Sequence, residues 1–270
     1  MDTRLSIIHW KGLPTSNIES IRLLAHSFLF ELDEFFKKKS NECYTRWMDD
    51  IVIGADDEVK ATEIISATSD FLKSRGLALN LAKTHIYNSS KARYQFLIDI
   101  NIWIDEFESK IEKKLTQPQI KTLENELKNE FKKHLKDTQP KYWDKISKRF
   151  ITQFIRLKSK KLLSEVKKLY LNTPAIRPNL IYYLSDFGYS SKTRKIVSEI
   201  LDELKIFDDI TLFKICHLLT NWNIGTDAAS LTYIKEIHKK LMFFTFSRKS
   251  PFDFYCILCF INNNIKFSFV

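Results

Sequence analysis

The sequence predicts an α+β amino-terminal part followed by an all-helical part, and three observations carry that expectation. A short β-rich stretch, Cys43–Gly54, lies between two segments whose apolar residues recur every three or four positions. From about Ser109 onward only the helical period is found. Five Gly and six Pro in 270 residues suit long helices better than a many-turned β-sandwich.

The elements follow in order. Lys11–Asn17 has the turn formers and hydroxyls of a loop that leads into a helix. Ile21, Leu24, Phe28, Leu32 and Phe35 then form one apolar stripe, and Lys37, Lys38 and Lys39 favour the negative carboxyl end of that helix. Cys43–Met48 and Ile51–Gly54 read as the arms of a hairpin with Asp49 and Asp50 at its turn. Asp56 or Asp57 can cap the next helix, striped by Ile64, Ile65, Thr68, Phe71 and Leu72 and stopped at Gly76. Short strands are expected at Leu77–Leu79 with Thr84–Tyr87, and around Tyr94–Ile104, closing a domain at residues 1–108. Residues 109–270 then carry successive helical stretches of similar length, interrupted at Pro174 and Pro178, which suggests stacked helical hairpins without a strict repeat.

Composition narrows the function. Apolar residues make up 44% of the chain and aromatics 13%, enough for packed cores and against disorder. The formal charge of +10 is concentrated, since residues 110–168 hold 18 Lys/Arg against 7 Asp/Glu. Such a block is either a phosphate-facing surface or a solvated helix pair. Four cysteines do not make a disulfide framework, so a reduced, cytoplasmic setting is expected. Cys256 and Cys259 form a C-x-x-C inside an apolar run with no second ligand pair at metal spacing, which favours core packing. That run is too short to cross a bilayer, and no signal-peptide layout starts the chain, so no membrane partner is expected.

The sharpest chemical signal is Trp47-Met48-Asp49-Asp50 between β-forming flanks. Two adjacent carboxylates at a tight turn offer hard oxygen ligands to divalent metal, and paired ions can stabilise both the attacking and the leaving oxygen in nucleotidyl transfer. An aspartate pair alone is a weak signal; order and spacing strengthen it. Gly12-Leu13-Pro14 before a helix, Arg46–Ile51, and Gly76-Leu77-Ala78-Leu79-Asn80-Leu81-Ala82-Lys83-Thr84 resemble, in the correct order, the second, third and fourth palm motifs of reverse transcriptases. Trp47 stands where that family has Tyr or Phe. Phe96-Leu97-Ile98 resembles the primer grip without its usual glycine.

This resemblance implies a partial polymerase palm, an antiparallel sheet with packed helices, followed by an all-α helical-repeat-like domain. It implies that Asp49 and Asp50 bind Mg2+ or Mn2+, and that Lys83 lies near the incoming triphosphate as a countercharge or proton donor. Gly12, Leu13, Pro14, Thr15 and Ser16 would border nucleotide and template, while Arg46 would contact nucleic acid or pair with a palm acid. The implied partners are RNA or DNA and deoxynucleoside triphosphates. The loop GLPTSNIES departs from the Pro-Gln-Gly of intron and retroviral enzymes and is similar to the divergent bacterial set linked to abortive infection and other phage defence. The third palm aspartate and the fingers have no counterpart before Gly12, so the chain alone is expected to be inactive. A separate chain would supply them, or the chain would work as a homo-oligomer. The alternative is a non-catalytic helical scaffold for nucleic acid or protein, built on a degenerate reverse transcriptase.

Overall fold

The computed structural model describes residues 19–136, 140–203 and 209–248, together with Tyr255 and Leu258. The loop Gly12–Ser16 and the Cys256/Cys259 pair lie outside the described residues. The chain divides into two compact units, Met1–Asn88 and Ser89–Val270.

The first unit carries helices α1 (Glu19–Phe28), α2 (Phe30–Lys39) and α3 (Glu58–Lys73) around a hairpin of β1 (Tyr44–Trp47) and β2 (Asp50–Ile53). The single helix expected across residues 21–35 is divided at Leu29, whose amide donates to the His26 carbonyl at 3.0 Å in a tightened turn. Ser27 Oγ donates to the Leu23 carbonyl one turn earlier, a back-bond that bends helices. Of the expected stripe, Leu32 of α2 is buried, with Phe36 beside it, whereas Leu24 of α1 is exposed. Leu72 of α3 completes a small core, against which Phe35, Phe71, Leu79 and the inward hairpin residues Tyr44, Ile51 and Ile53 pack. Phe35 and Phe71 stack at 4.7 Å, joining α2 to α3.

Both ends of α3 follow their sequence signals. Asp57 caps it by accepting the Lys60 amide at 2.7 Å. At the other end Gly76 has φ +72, its amide reaches the Lys73 carbonyl, and the Leu77 amide reaches that of Leu72. This is a Schellman stop, for which a residue without Cβ is best suited.

The second unit is helical from its first residues: α4 (Ser89–Gln95), α5 (Ile98–Ile111), α6 (Gln117–Lys136), α7 (Trp143–Arg156), α8 (Leu163–Asn172), α9 (Arg177–Phe187), α10 (Ser191–Glu203), α11 (Asp209–Asn221) and α12 (Ala228–Arg248). The strand expected around Tyr94–Ile104 is thus α4 and α5. The alternation Ile98-Asp-Ile-Asn-Ile-Trp-Ile satisfies a strand and a helix alike over so short a span. What decides is burial of one helical face, because Leu97, Ile104 and Phe107 are buried with Ile100, Trp103 and Ile111 packed beside them. Arg149 of α7 locks that choice by donating to Asn101 Oδ1 at 2.8 Å, Asp105 Oδ1 at 2.6 Å and Glu108 Oε1 at 3.0 Å, all on α5. Nor do Leu77–Leu79 and Thr84–Tyr87 pair as strands; a 3-10 turn, Leu81–Lys83, stands between them, and the described sheet has two strands.

The helical stretch that begins at α7 is broken at Lys158. This residue takes φ +49 while its amide donates to the Ile155 carbonyl and the Ser159 amide to that of Phe154, a Schellman stop built without glycine. The Ser159 carbonyl exposed by the break is not stranded, since Tyr183 Oη of α9 donates to it at 2.7 Å. Beyond the break, α7, α9 and α11 pack in one row and α8, α10 and α12 in another, with α8 touching α9 across them. Between α6 and α7 the buried His134 shares a hydrogen bond with Ser147 Oγ at 3.0 Å and stacks on Trp143 at 5.1 Å, while Trp143 Nε1 donates to the His134 carbonyl. No helix among the described residues is long and apolar enough to cross a membrane.

Candidate active site

Strand alternation sorts the hairpin into two faces. Tyr44 and Arg46 of β1 with Ile51 and Ile53 of β2 turn toward the core; Thr45, Trp47, Asp50 and Val52 turn outward. The antiparallel register pairs Trp47 with Asp50 and Arg46 with Ile51, leaving Met48 and Asp49 as a two-residue loop. Gly54 extends the pairing, its amide donating to the Cys43 carbonyl at 2.7 Å, where a Cβ would come within 3.1 Å of Cys43 Sγ. The turn itself is strained, because Met48 has φ +57, a left-handed conformation that costs an L-residue on the order of 1–2 kcal/mol.

A clamp beneath the turn holds that geometry. Arg46 Nε donates to Asp33 Oδ1 at 2.7 Å and its Nη2 to Asp33 Oδ2 at 2.5 Å, a bidentate pair with the carboxylate of α2. Its Nη1 donates to the Met48 carbonyl at 3.0 Å, so helix, strand and strained loop share one guanidinium. The hydrogen bonds from Arg46 hold the Asp33 carboxyl below its ordinary pKa, and Asp33 raises that of Arg46. Of the two roles left open for Arg46, the structure shows the ion pair. Its side chain is only 9% exposed.

Above the clamp the two aspartates are uncommitted. Asp49 and Asp50 are both exposed, beside a Trp47 ring that is 82% exposed. Neither carboxylate makes a hydrogen bond or ion pair with a described residue, so their oxygens are available to an external cation. Hard, adjacent carboxylates on a fixed turn suit Mg2+ or Mn2+, which retain water and substrate oxygens in their remaining positions. The donor set is partial, for no group of three potential metal-ligating side chains occurs among the described residues.

Lys83 ends the 3-10 turn Leu81–Lys83, with its amide on the Asn80 carbonyl and its side chain exposed. Half-buried Leu79 ties this segment to the same core that carries the hairpin. Lys83 makes no ion pair with Asp49 or Asp50, so a common ligand, rather than direct contact, would have to bring them together. Asp33 is the residue of the clamp that the sequence reading did not single out. Its only local signal is a carboxylate next to the buried Leu32 on an amphipathic helix, and nothing in that signal names Arg46 as the partner.

Residues 12–123 match the family model of the reverse transcriptase (RNA-dependent DNA polymerase). The matched segment spans the hairpin, Lys83, and the chain through α4 and α5 into α6. No curated protein and no solved structure matches this chain. The match supports a reverse-transcriptase-like polymerase function, with nucleic acid and deoxynucleoside triphosphates as the general partners and divalent metal as the general requirement.

Proposed function

We propose that this chain contributes the metal-holding turn of a reverse transcriptase of the phage-defence class, with Asp49 and Asp50 as the metal ligands and Lys83 at the triphosphate. The observation that carries this reading is the uncommitted aspartate pair, exposed on a two-residue turn that Arg46 and Asp33 clamp from below. Divalent metal bound there supplies charge neutralisation at the reacting phosphate. The protein's own share is positional: the clamp fixes the turn, β2 directs Asp50 outward, and Lys83 offers a mobile point charge for developing pyrophosphate. Gly12–Ser16, with small and hydroxyl side chains, would border the nucleotide. The defence assignment rests on the loop GLPTSNIES and on the helical carboxyl-terminal half.

The test is incorporation of labelled deoxynucleotides by the polymerase that contains this chain, in Mg2+ and in Mn2+. Asp49→Ala should abolish incorporation. Undiminished incorporation by that variant overturns the proposal. The scaffold alternative predicts instead that nucleic-acid binding persists and that no synthesis depends on Asp49.

A further inference from the structure

The basic block identified in the sequence is not uniformly available. Many of its cations are already paired: Lys110 with Glu126, Lys133 with Glu130, Lys148 with Asp144, Arg149 with Asp105 and Glu108, and Arg156 with Glu112. Such pairs are largely neutral to an approaching polyanion. Other lysines make no ion pair with a described residue, and some of them are gathered in one place. An open cleft in the helical unit is lined by Lys128 of α6, Lys160 and Lys161 of the 3-10 turn before α8, Lys167 of α8, and Lys192 and Lys195 of α10. Glu199 is the one acidic residue in that lining.

Half of the set is committed in part: Lys167 bridges Glu199 at 3.3 Å and Glu203 at 2.6 Å, Lys195 lies 3.9 Å from Glu199, and Lys161 lies 4.0 Å from Glu124. Lys128, Lys160 and Lys192 make no ion pair with a described residue. Three cations on three different elements are therefore left facing one concavity, an arrangement that raises the local potential and has no internal use for it. The amino-terminal turns of α8 and α10, which place Ser164 and Lys192 in the lining, add positive dipole ends in the same place.

The chemistry of the lining selects the ligand class. Every cation is lysine, a point charge tolerant of geometry, whereas recognition of carboxylates favours the planar fork of arginine. Leu163 and Ile196 are its apolar members, and no aromatic ring lines it on which a base could stack. The lysines are spread along an open cleft over four elements and do not converge on one point, which suits an extended polyanion better than a single phosphate.

We propose that this cleft binds the phosphodiester backbone of a single nucleic-acid strand, without regard to base sequence. It deepens the nucleic-acid part of the function proposed above but needs no catalysis, so the two can fail separately. The experiment measures anisotropy of a labelled single-stranded oligonucleotide on the full chain, as a function of salt. Lys128→Gln, Lys160→Gln and Lys192→Gln combined should weaken binding at least about tenfold near 100 mM salt and flatten the log-log salt slope by about 2. A control with Lys113→Gln, Lys132→Gln and Lys136→Gln removes the same charge outside the cleft and should leave binding within about twofold. Lys160→Glu alone, at an exposed side chain, should reproduce the direction should the triple variant fail to fold. Oligo(dA) and oligo(dT) should bind alike. Equal loss in both triple variants overturns the cleft as the site. Displacement of the strand by equimolar tripolyphosphate or by polyglutamate overturns the ligand class, in favour of a small polyphosphate or an acidic peptide. An Asp49→Ala chain should bind as the wild type does.

Discussion

At Arg46 and Asp33 a single ion pair decides where two other residues point. A bidentate, nearly buried pair contributes more than an exposed one, and hydrogen bonds to charged groups are each worth about 1.5–3 kcal/mol. Arg46→Ala should therefore destabilise the first unit by about 2–3 kcal/mol in urea unfolding, because it also strands the Asp33 carboxylate. The pair also carries a pH signature. Folding lowers the Asp33 pKa below its usual 3.8, so the pair's contribution is fully present above that value and is lost as pH falls through the lower folded value. Stability should decline below about pH 4, and Asp33→Asn should flatten the decline. A decline of unchanged steepness in that variant would assign the acid sensitivity to other carboxylates. The sequence made the turn aspartates, the Asp57 cap and the Gly76 stop legible, because each is a local signal read within a few residues. It could not reveal the clamp, since Asp33 and Arg46 meet only after α2 has packed on the hairpin.

Between the elements, the boundaries that the sequence obscured share a cause. Lys158 and Leu97 adopt left-handed φ values of +49 and +51 without glycine, so the chain breaks where its composition shows no break. The period ambiguity of Ile98–Ile104 is similar in kind: a seven-residue alternation fits both regular structures, and only packing beneath α7 selects the helix. Tertiary contacts imposed these boundaries, whereas α6 and α10, with clean amphipathic periods, were legible unaided. At Lys158 the burden can be measured. Lys158→Gly removes the Cβ from the left-handed position while retaining the amide bonds to Ile155 and Phe154, and should stabilise the helical unit by about 1 kcal/mol in chemical denaturation. An equally large loss would mean that the Lys158 side chain, not the backbone stop, holds the corner. Phe107→Ala, which empties a fully buried position between α5 and α7, should cost about 3–5 kcal/mol.

Across the whole molecule, burial is distributed unevenly. Among the described residues, the clustered core of the first unit is Leu32, Phe36 and Leu72, whereas that of the second runs from Leu97 to Leu241. Hydrophobic stabilisation scales with apolar area removed from water, so the unit bearing the aspartates should open more readily than the helical one. Amides of β1, β2 and α3 should accordingly exchange hydrogen faster than those of α7 and α9. That difference turns a structural asymmetry into a functional readout. A cation bound by Asp49 and Asp50 in the folded hairpin, and not in its open form, stabilises it by mass action. At manganese about tenfold above its Kd, exchange at the hairpin should slow by about tenfold, with α7, α9 and α11 unchanged. Asp49→Asn combined with Asp50→Asn should remove the protection while leaving metal-free exchange as it was, because neither carboxylate bonds to a described residue of the fold. Protection that survives the double substitution, or that spreads equally over both units, would place the cation elsewhere and leave the aspartate turn without its ligand.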